Sequence, residues 1–187
     1  MAEEYTGVRF LTRFEGAGFG YATERSDIMG ELKKLEKRDV LYKNTGNLSV
    51  RVKDGIVITP AGMDKVSLTA ADMVLVKTAD EKTHLARVIG THKPSSETFM
   101  HWLIQKTFPK VNAVVHFHDD KLVRSGMFVE TPEHHPYGTL ELAHAVVDTL
   151  KESKSNFVVL KDHGVLVVAK DMKSCDAMIT KAIKAVR

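Results

Sequence analysis

The stretch AVVHFHD at 113–119 is apolar and β-branched until it reaches two histidines. With Val111 and Asn112 before it, a run this short and this rich in valine reads as a central strand over 111–118. Side chains alternate faces along a strand, so His116 and His118 point the same way and Phe117 points the other. Two imidazoles on one face at the end of a buried strand can reach one metal ion. His-x-His pairs also arise by chance, so two unrelated histidines at a strand end are an equal alternative while the pair stands alone.

A third histidine shifts that balance. His163 falls in Asp162-His163-Gly164, a tight turn between two short apolar runs, 157–160 and 165–168, that read as strands. Glycine at 164 tolerates backbone conformations that other residues resist, and so could aim His163 into a cleft. Three histidines that leave coordination positions open are what a catalytic zinc site needs. Taken singly, a histidine that serves a turn or a cap is the commoner case. Upstream, Lys93-Pro94-Ser95-Ser96-Glu97 opens a helical pattern over 95–107, with Ser95 or Ser96 as cap and Glu97 in the first turn. A helix start of this kind binds anions through free N–H groups, and two serine hydroxyls add donors for a phosphate. Glu97 suits a general base, or an extra ligand when substrate is absent; the plainer reading is an ordinary cap. The turns at 44–47 and 59–62, with Gly46 and Gly62, can also offer N–H groups to a phosphate, although most such turns only reverse the chain.

Farther out, a hairpin is predicted from strands 47–52 and 56–59 joined by Lys53-Asp54-Gly55, with further strands at 73–78 and 85–90. Helices are predicted at 26–40, capped by Ser26, at 139–151 and at 171–187. Residues 5–14 read as a short strand or extended arm. Helices and strands alternate, yet several strands meet through short turns, so the fold reads as α/β with a mixed or antiparallel sheet. No repeat, low-complexity tract or linker divides residues 1–187, which read as one domain. The apolar share of 43% argues against disorder of the whole chain. No apolar run approaches the roughly 18 residues of a membrane span. Charges at Glu3, Glu4, Arg9, Arg13 and Glu15 argue against a secretory signal, so a cytoplasmic location is the default expectation. The net charge of +3 is dispersed, without the basic patch of a nucleic-acid binder, and would suit an anionic small molecule. Cys175, the single cysteine, cannot form an intramolecular disulfide.

Taken in order, GNLSVR at 46–51, ITPAGM at 58–63, KPSSET at 93–98, AVVHFHD at 113–119, YGTLELA at 137–143 and DHGVLV at 162–167 closely resemble the class II aldolase and adducin-head family. The resemblance runs from about Ser26 to the C-terminus and leaves residues 1–25 as an extension. It implies a three-layer sandwich: a mixed, largely antiparallel sheet between helices. It implies His116, His118 and His163 as ligands of a divalent metal, zinc first, with manganese, iron or cobalt as alternatives. Glu97 becomes the acid/base carboxylate, and Asn47, Gly62, Ser95 and Ser96 the phosphate cradle. The implied activity is retro-aldol cleavage of a phosphorylated ketose of the fuculose 1-phosphate type, through a metal-stabilised enediolate, in a homotetramer. Epimerisation, or dehydration of a thiosugar phosphate, is the alternative at the same site, and a non-catalytic adducin-like module is the third reading. Three departures bear on substrate. Ala61 stands where the family has Ser or Thr. Asp119 and Asp120 would add negative charge near the mouth of the site. The tyrosine acid of the fuculose-phosphate type falls at His134–His135, where a histidine either replaces it or is a plain loop residue.

Overall fold

Alternating valine, isoleucine and leucine draw nine strands of the described residues into one sheet. The computed structural model describes residues 7–41 and 43–187. The strands are β1 (Leu11–Phe14), β2 (Asn47–Val52), β3 (Gly55–Ile58), β4 (Val74–Asp80), β5 (Leu85–Ile89), β6 (Ala113–Phe117), β7 (Val129–Glu130), β8 (Phe157–Leu160) and β9 (Gly164–Ala169). Their order across the sheet is β1-β5-β4-β3-β2-β6-β9-β8-β7. The two edge pairs, β1 with β5 and β7 with β8, are parallel, and all inner pairs are antiparallel. The helices are α1 (Ala22–Lys37), α2 (Thr98–Thr107), α3 (Asp120–Arg124), α4 (Leu140–Ser153) and α5 (Met172–Val186).

Strand alternation sorts the core into layers. Ala113, Val115 and Phe117 of β6 pack with Ile28, Leu32 and Leu35 of α1, Leu122 of α3 and Cys175, Ile179 and Ile183 of α5. Val114 points the other way and packs with Met100 and Ile104 of α2 and with Leu142, Val146 and Leu150 of α4. Each fully buried Leu or Ile is worth about 1.5–3 kcal/mol, so neither helix layer can be peeled off cheaply. The architecture is the expected α/β sandwich of three layers with a mixed, largely antiparallel sheet. Among the described residues, no helix is long and apolar enough to cross a membrane.

Several boundaries differ from the sequence reading. Helix α1 begins at Ala22, four residues before the expected Ser26 cap; Tyr21 adopts φ 63° there, and its hydroxyl donates to Asp54 Oδ2 at 2.5 Å, fixing the helix start to the β2–β3 turn. Helix α2 begins at Thr98, so Glu97 precedes its first turn, with φ −94° and ψ 20°. Helix α4 is capped by the Thr139 hydroxyl and α5 by the Asp171 carboxylate. Of the predicted segment 5–14, residues 5 and 6 lie outside the described residues, and 11–14 form β1 alongside β5.

Lys65 is buried where two loops meet. Its Nζ donates to the carbonyls of Met63, at 2.9 Å, and Asn44, at 3.3 Å, tying the 59–63 turn to the 44–47 turn. Burial pushes its ammonium down from 10.5 to about 8. Between these values the unfolded chain holds the extra proton, so folding stability rises with pH across that window. Thermal melts of the Lys65→Met variant should lack this rise: the gap in Tm between unmodified protein and variant is expected to move in favour of the unmodified protein from pH 8 to 10.5. A gap independent of pH would show that Lys65 titrates as an exposed lysine.

Candidate metal centre

Backbone pairing places the three histidines. In β6, His116 alternates with Val115 and Phe117 and therefore faces the α2/α4 layer. His118 follows the strand end on the same side. Strand β9 runs antiparallel to β6 with Phe117 opposite Val165. The 160–163 turn that precedes β9 thus returns to the end of β6, with the His163 N–H bonded to the Leu160 carbonyl at 3.0 Å. The three rings surround one point: their centroids lie 4.9–5.0 Å apart at interplanar angles of 63°, 70° and 89°. One nitrogen of each falls within 4.8 Å of the others.

Glycine at 164 serves this geometry for a different reason from the one expected. The left-handed residue of the turn is Asp162, at φ 55°, not Gly164. What Gly164 supplies is space: a Cβ there would lie 2.8 Å from His116 Cε1, 2.8 Å from the Phe117 carbonyl oxygen and 3.0 Å from His118 Cδ2. Gly46 has the same function on the other flank, where a Cβ would lie 2.7 Å from the His116 carbonyl oxygen.

The electrostatics favour a cation. Burial pushes the His116 and His118 imidazoles down to about 3, with neighbouring imidazoles adding to the effect, so both rings are neutral at physiological pH. His116 Nδ1 donates to the Val165 carbonyl at 3.0 Å, which leaves its Nε2 as a bare lone pair. That lone pair faces His118 Nε2 at 3.1 Å and Glu97 Oε2 at 3.3 Å. Glu97 Oε1, 3.9 Å from His163 Nε2, is buried with no hydrogen-bond partner among the described residues. An unpartnered buried carboxylate oxygen is costly in isolation. Next to neutral nitrogen donors it fits a divalent ion held by His116, His118 and His163, with Glu97 beside it.

Of the residues expected to cradle phosphate, Asn47 is opposite His116 across β2 and β6, so it shares the face of that histidine. Its Nδ2 donates to Glu97 Oε2 at 2.7 Å. Ser95 and Ser96 are buried, and the Ser95 N–H bonds the Thr59 carbonyl, which sets the 93–96 segment beside the 59–62 turn. Gly62 is exposed on that turn at φ 69°. Asp119 does not charge the site mouth as expected: it is buried, caps α3 through the N–H groups of Lys121 and Leu122, and pairs with Arg187. His134 is exposed, with Nδ1 3.2 Å from the Lys161 carbonyl oxygen. The sequence reading missed Ser49, His101 and Gln105, which continue the buried polar contacts behind Asn47. A Glu-x-x-x-His-x-x-x-Gln repeat at helical spacing was the available signal.

Gly164→Ala is expected to push two of the three rings apart, weakening zinc affinity by about tenfold or more and stability by about 1–3 kcal/mol. Calorimetric titration of the metal-stripped variant, with a thermal melt, checks both; unchanged affinity would contradict the packing described.

The sequence profile of the class II aldolase and adducin N-terminal domain matches residues 27–129 and 126–186. An L-fuculose phosphate aldolase of Methanococcus maripaludis is 30% identical over 159 residues, covering 74% of this chain and 80% of that protein. A methylthioribulose-1-phosphate dehydratase of Yersinia enterocolitica is 40% identical over 74 residues, 39% of this chain and 33% of that protein. A solved L-fuculose 1-phosphate aldolase superposes with a TM-score of 0.74 at 23% identity, covering 87% of this chain and 84% of that one. With the profile spanning most of its length, the chain belongs to the class II aldolase and adducin N-terminal domain family, among its enzymes.

Proposed function

We propose that the chain is a metal-dependent lyase that cleaves a phosphorylated ketose by a retro-aldol reaction. The observation that carries this reading is the buried, unpartnered Glu97 Oε1 beside three imidazoles on one centre. His116, His118 and His163 would hold the ion, zinc in the first instance. When bound, it supplies Lewis-acid polarisation of the substrate carbonyl. Breaking the carbon–carbon bond turns the hydroxyl-bearing carbon into a carbonyl, which releases its hydroxyl proton. It leaves the electron pair on the other carbon, which must receive a proton, so that one proton is lost and one gained. Glu97 Oε1 is assigned that transfer, because Oε2 is held by Asn47. The phosphate is assigned to Gly62, Ser95 and Ser96, and to Asn47 only in a lesser part, since its amide is engaged with Glu97 and His101. Assembly into a homotetramer belongs to the same proposal.

A second reading, dehydration of a thiosugar phosphate, is favoured by the segment matching the dehydratase and by the histidines at 134–135 in place of a tyrosine. Product analysis by NMR separates the two. Metal-loaded protein is incubated with L-fuculose 1-phosphate and with 5-methylthioribulose 1-phosphate. Cleavage yields two shorter fragments, whereas dehydration yields one product that keeps every carbon. Glu97→Gln is expected to lower kcat by about 10²–10⁴ on the accepted substrate. Equal turnover with and without metal, or a fully active Glu97→Gln, would sink the proposal.

A further inference from the structure

Behind the metal centre a file of buried polar side chains runs down the interface between β2 and α2. Two strand residues advance about 6.7 Å and four helical residues about 6 Å, so Asn47 and Ser49 interleave with Glu97, His101 and Gln105. The contacts are Asn47 Nδ2 to Glu97 Oε2 at 2.7 Å, His101 Nε2 to Asn47 Oδ1 at 2.5 Å, Ser49 Oγ to His101 Nδ1 at 2.7 Å, and Gln105 Nε2 to Ser49 Oγ at 2.8 Å. Ser49 and His101 are fully buried, and Gln105 is 1% exposed.

The direction of this file is fixed from one end. A carboxylate only accepts, so the Asn47 amide nitrogen must face Glu97 and its oxygen must face His101. His101 then has to donate from Nε2. Burial holds that ring neutral, so Nδ1 is an acceptor and the Ser49 hydroxyl donates to it. Ser49 in turn accepts from the Gln105 amide. Every donor points toward Glu97. Apolar side chains would hold α2 against β2 as well; among the described residues every side-chain polar atom of this file has a partner except Glu97 Oε1 at one end and Gln105 Oε1 at the other.

We infer that His101 is a positioning residue for Glu97: by holding Asn47 Oδ1 it turns the Asn47 amide onto Oε2 and leaves Oε1 as the oxygen that exchanges a proton with substrate. The inference rests on the assignment of Glu97 as the proton carrier. Without His101 the Asn47 amide can flip, and the carboxylate loses the bond that sets its rotation.

The test has a part that needs no substrate. Long-range ¹H–¹⁵N correlation spectra of the zinc-loaded protein are expected to show His101 with its proton on Nε2 and a bare Nδ1. A proton on Nδ1 reverses the file and overturns the inference. In cleavage of L-fuculose 1-phosphate, His101→Phe is expected to lower kcat about 10- to 100-fold with KM little changed. His101→Gln, which places an amide N–H near the Nε2 position, should recover most of the loss. Ser49→Ala, a small deletion in the same file, is the second arm and should lower kcat in the same direction even where His101→Phe does not fold. A His101→Phe or Ser49→Ala protein at the unmodified rate, while Glu97→Gln is inactive, overturns the positioning role alone. A Glu97→Gln protein at the unmodified rate overturns the assignment of Glu97 and the inference with it.

Discussion

The position of His116 governs the rest of the site. It is held in the middle of the sheet, opposite Asn47 on one side and Leu166 on the other. Cross-strand partners share a face, so fixing His116 toward α2 also delivers Asn47 to Glu97. The same residue explains two glycines, because Gly46 and Gly164 pack against its carbonyl and its ring at distances that a Cβ could not occupy. A strand slipped by one residue would turn His116 into the apolar α1/α5 layer and Phe117 toward the other two imidazoles.

The two faces of the sheet divide the labour. The α1/α5 face is closed by aliphatic packing around Phe117, Val165 and Ile179 and carries Cys175, whose thiol burial pushes up and keeps unreactive. The α2 face is polar along β2. Asn47 and Ser49 meet the helix, and the Arg51 guanidinium donates to the carbonyls of Gln105, Phe108 and Val111 at its C-terminal end. Helix α2 is therefore registered along its whole length by side chains of a single strand, which limits how far Glu97 at its start can drift.

Much of this was legible in the sequence because it depends on local periodicity. The β2–β3 hairpin, the valine-rich β6 and the helices after Thr139 and Asp171 all carry their pattern and their caps within a few residues. The shared face of His116 and His118 follows from strand alternation alone, whereas the roles expected of Glu97 and the phosphate residues were only suggested by a helix start and two glycine turns and rest on the family resemblance. What was not legible depends on distant pairing. Strand β7 is two residues long and exists only because it lies beside β8. Asp119 looked like a site charge because its partner, Arg187, is 68 residues away. Glu97, His101 and Gln105 had a visible spacing, but it acquires meaning only once α2 is known to lie on β2.

The central proposal is that three imidazoles, one in β6, one just beyond its end and one in the β8–β9 turn, bind one divalent ion. X-ray absorption spectroscopy of the zinc-loaded protein tests it most directly. The account predicts one ion per chain with three imidazole nitrogens at about 2.0–2.1 Å, oxygen completing the shell and no sulfur. A shell with fewer than three imidazoles, or a protein that retains no stoichiometric zinc, would contradict it.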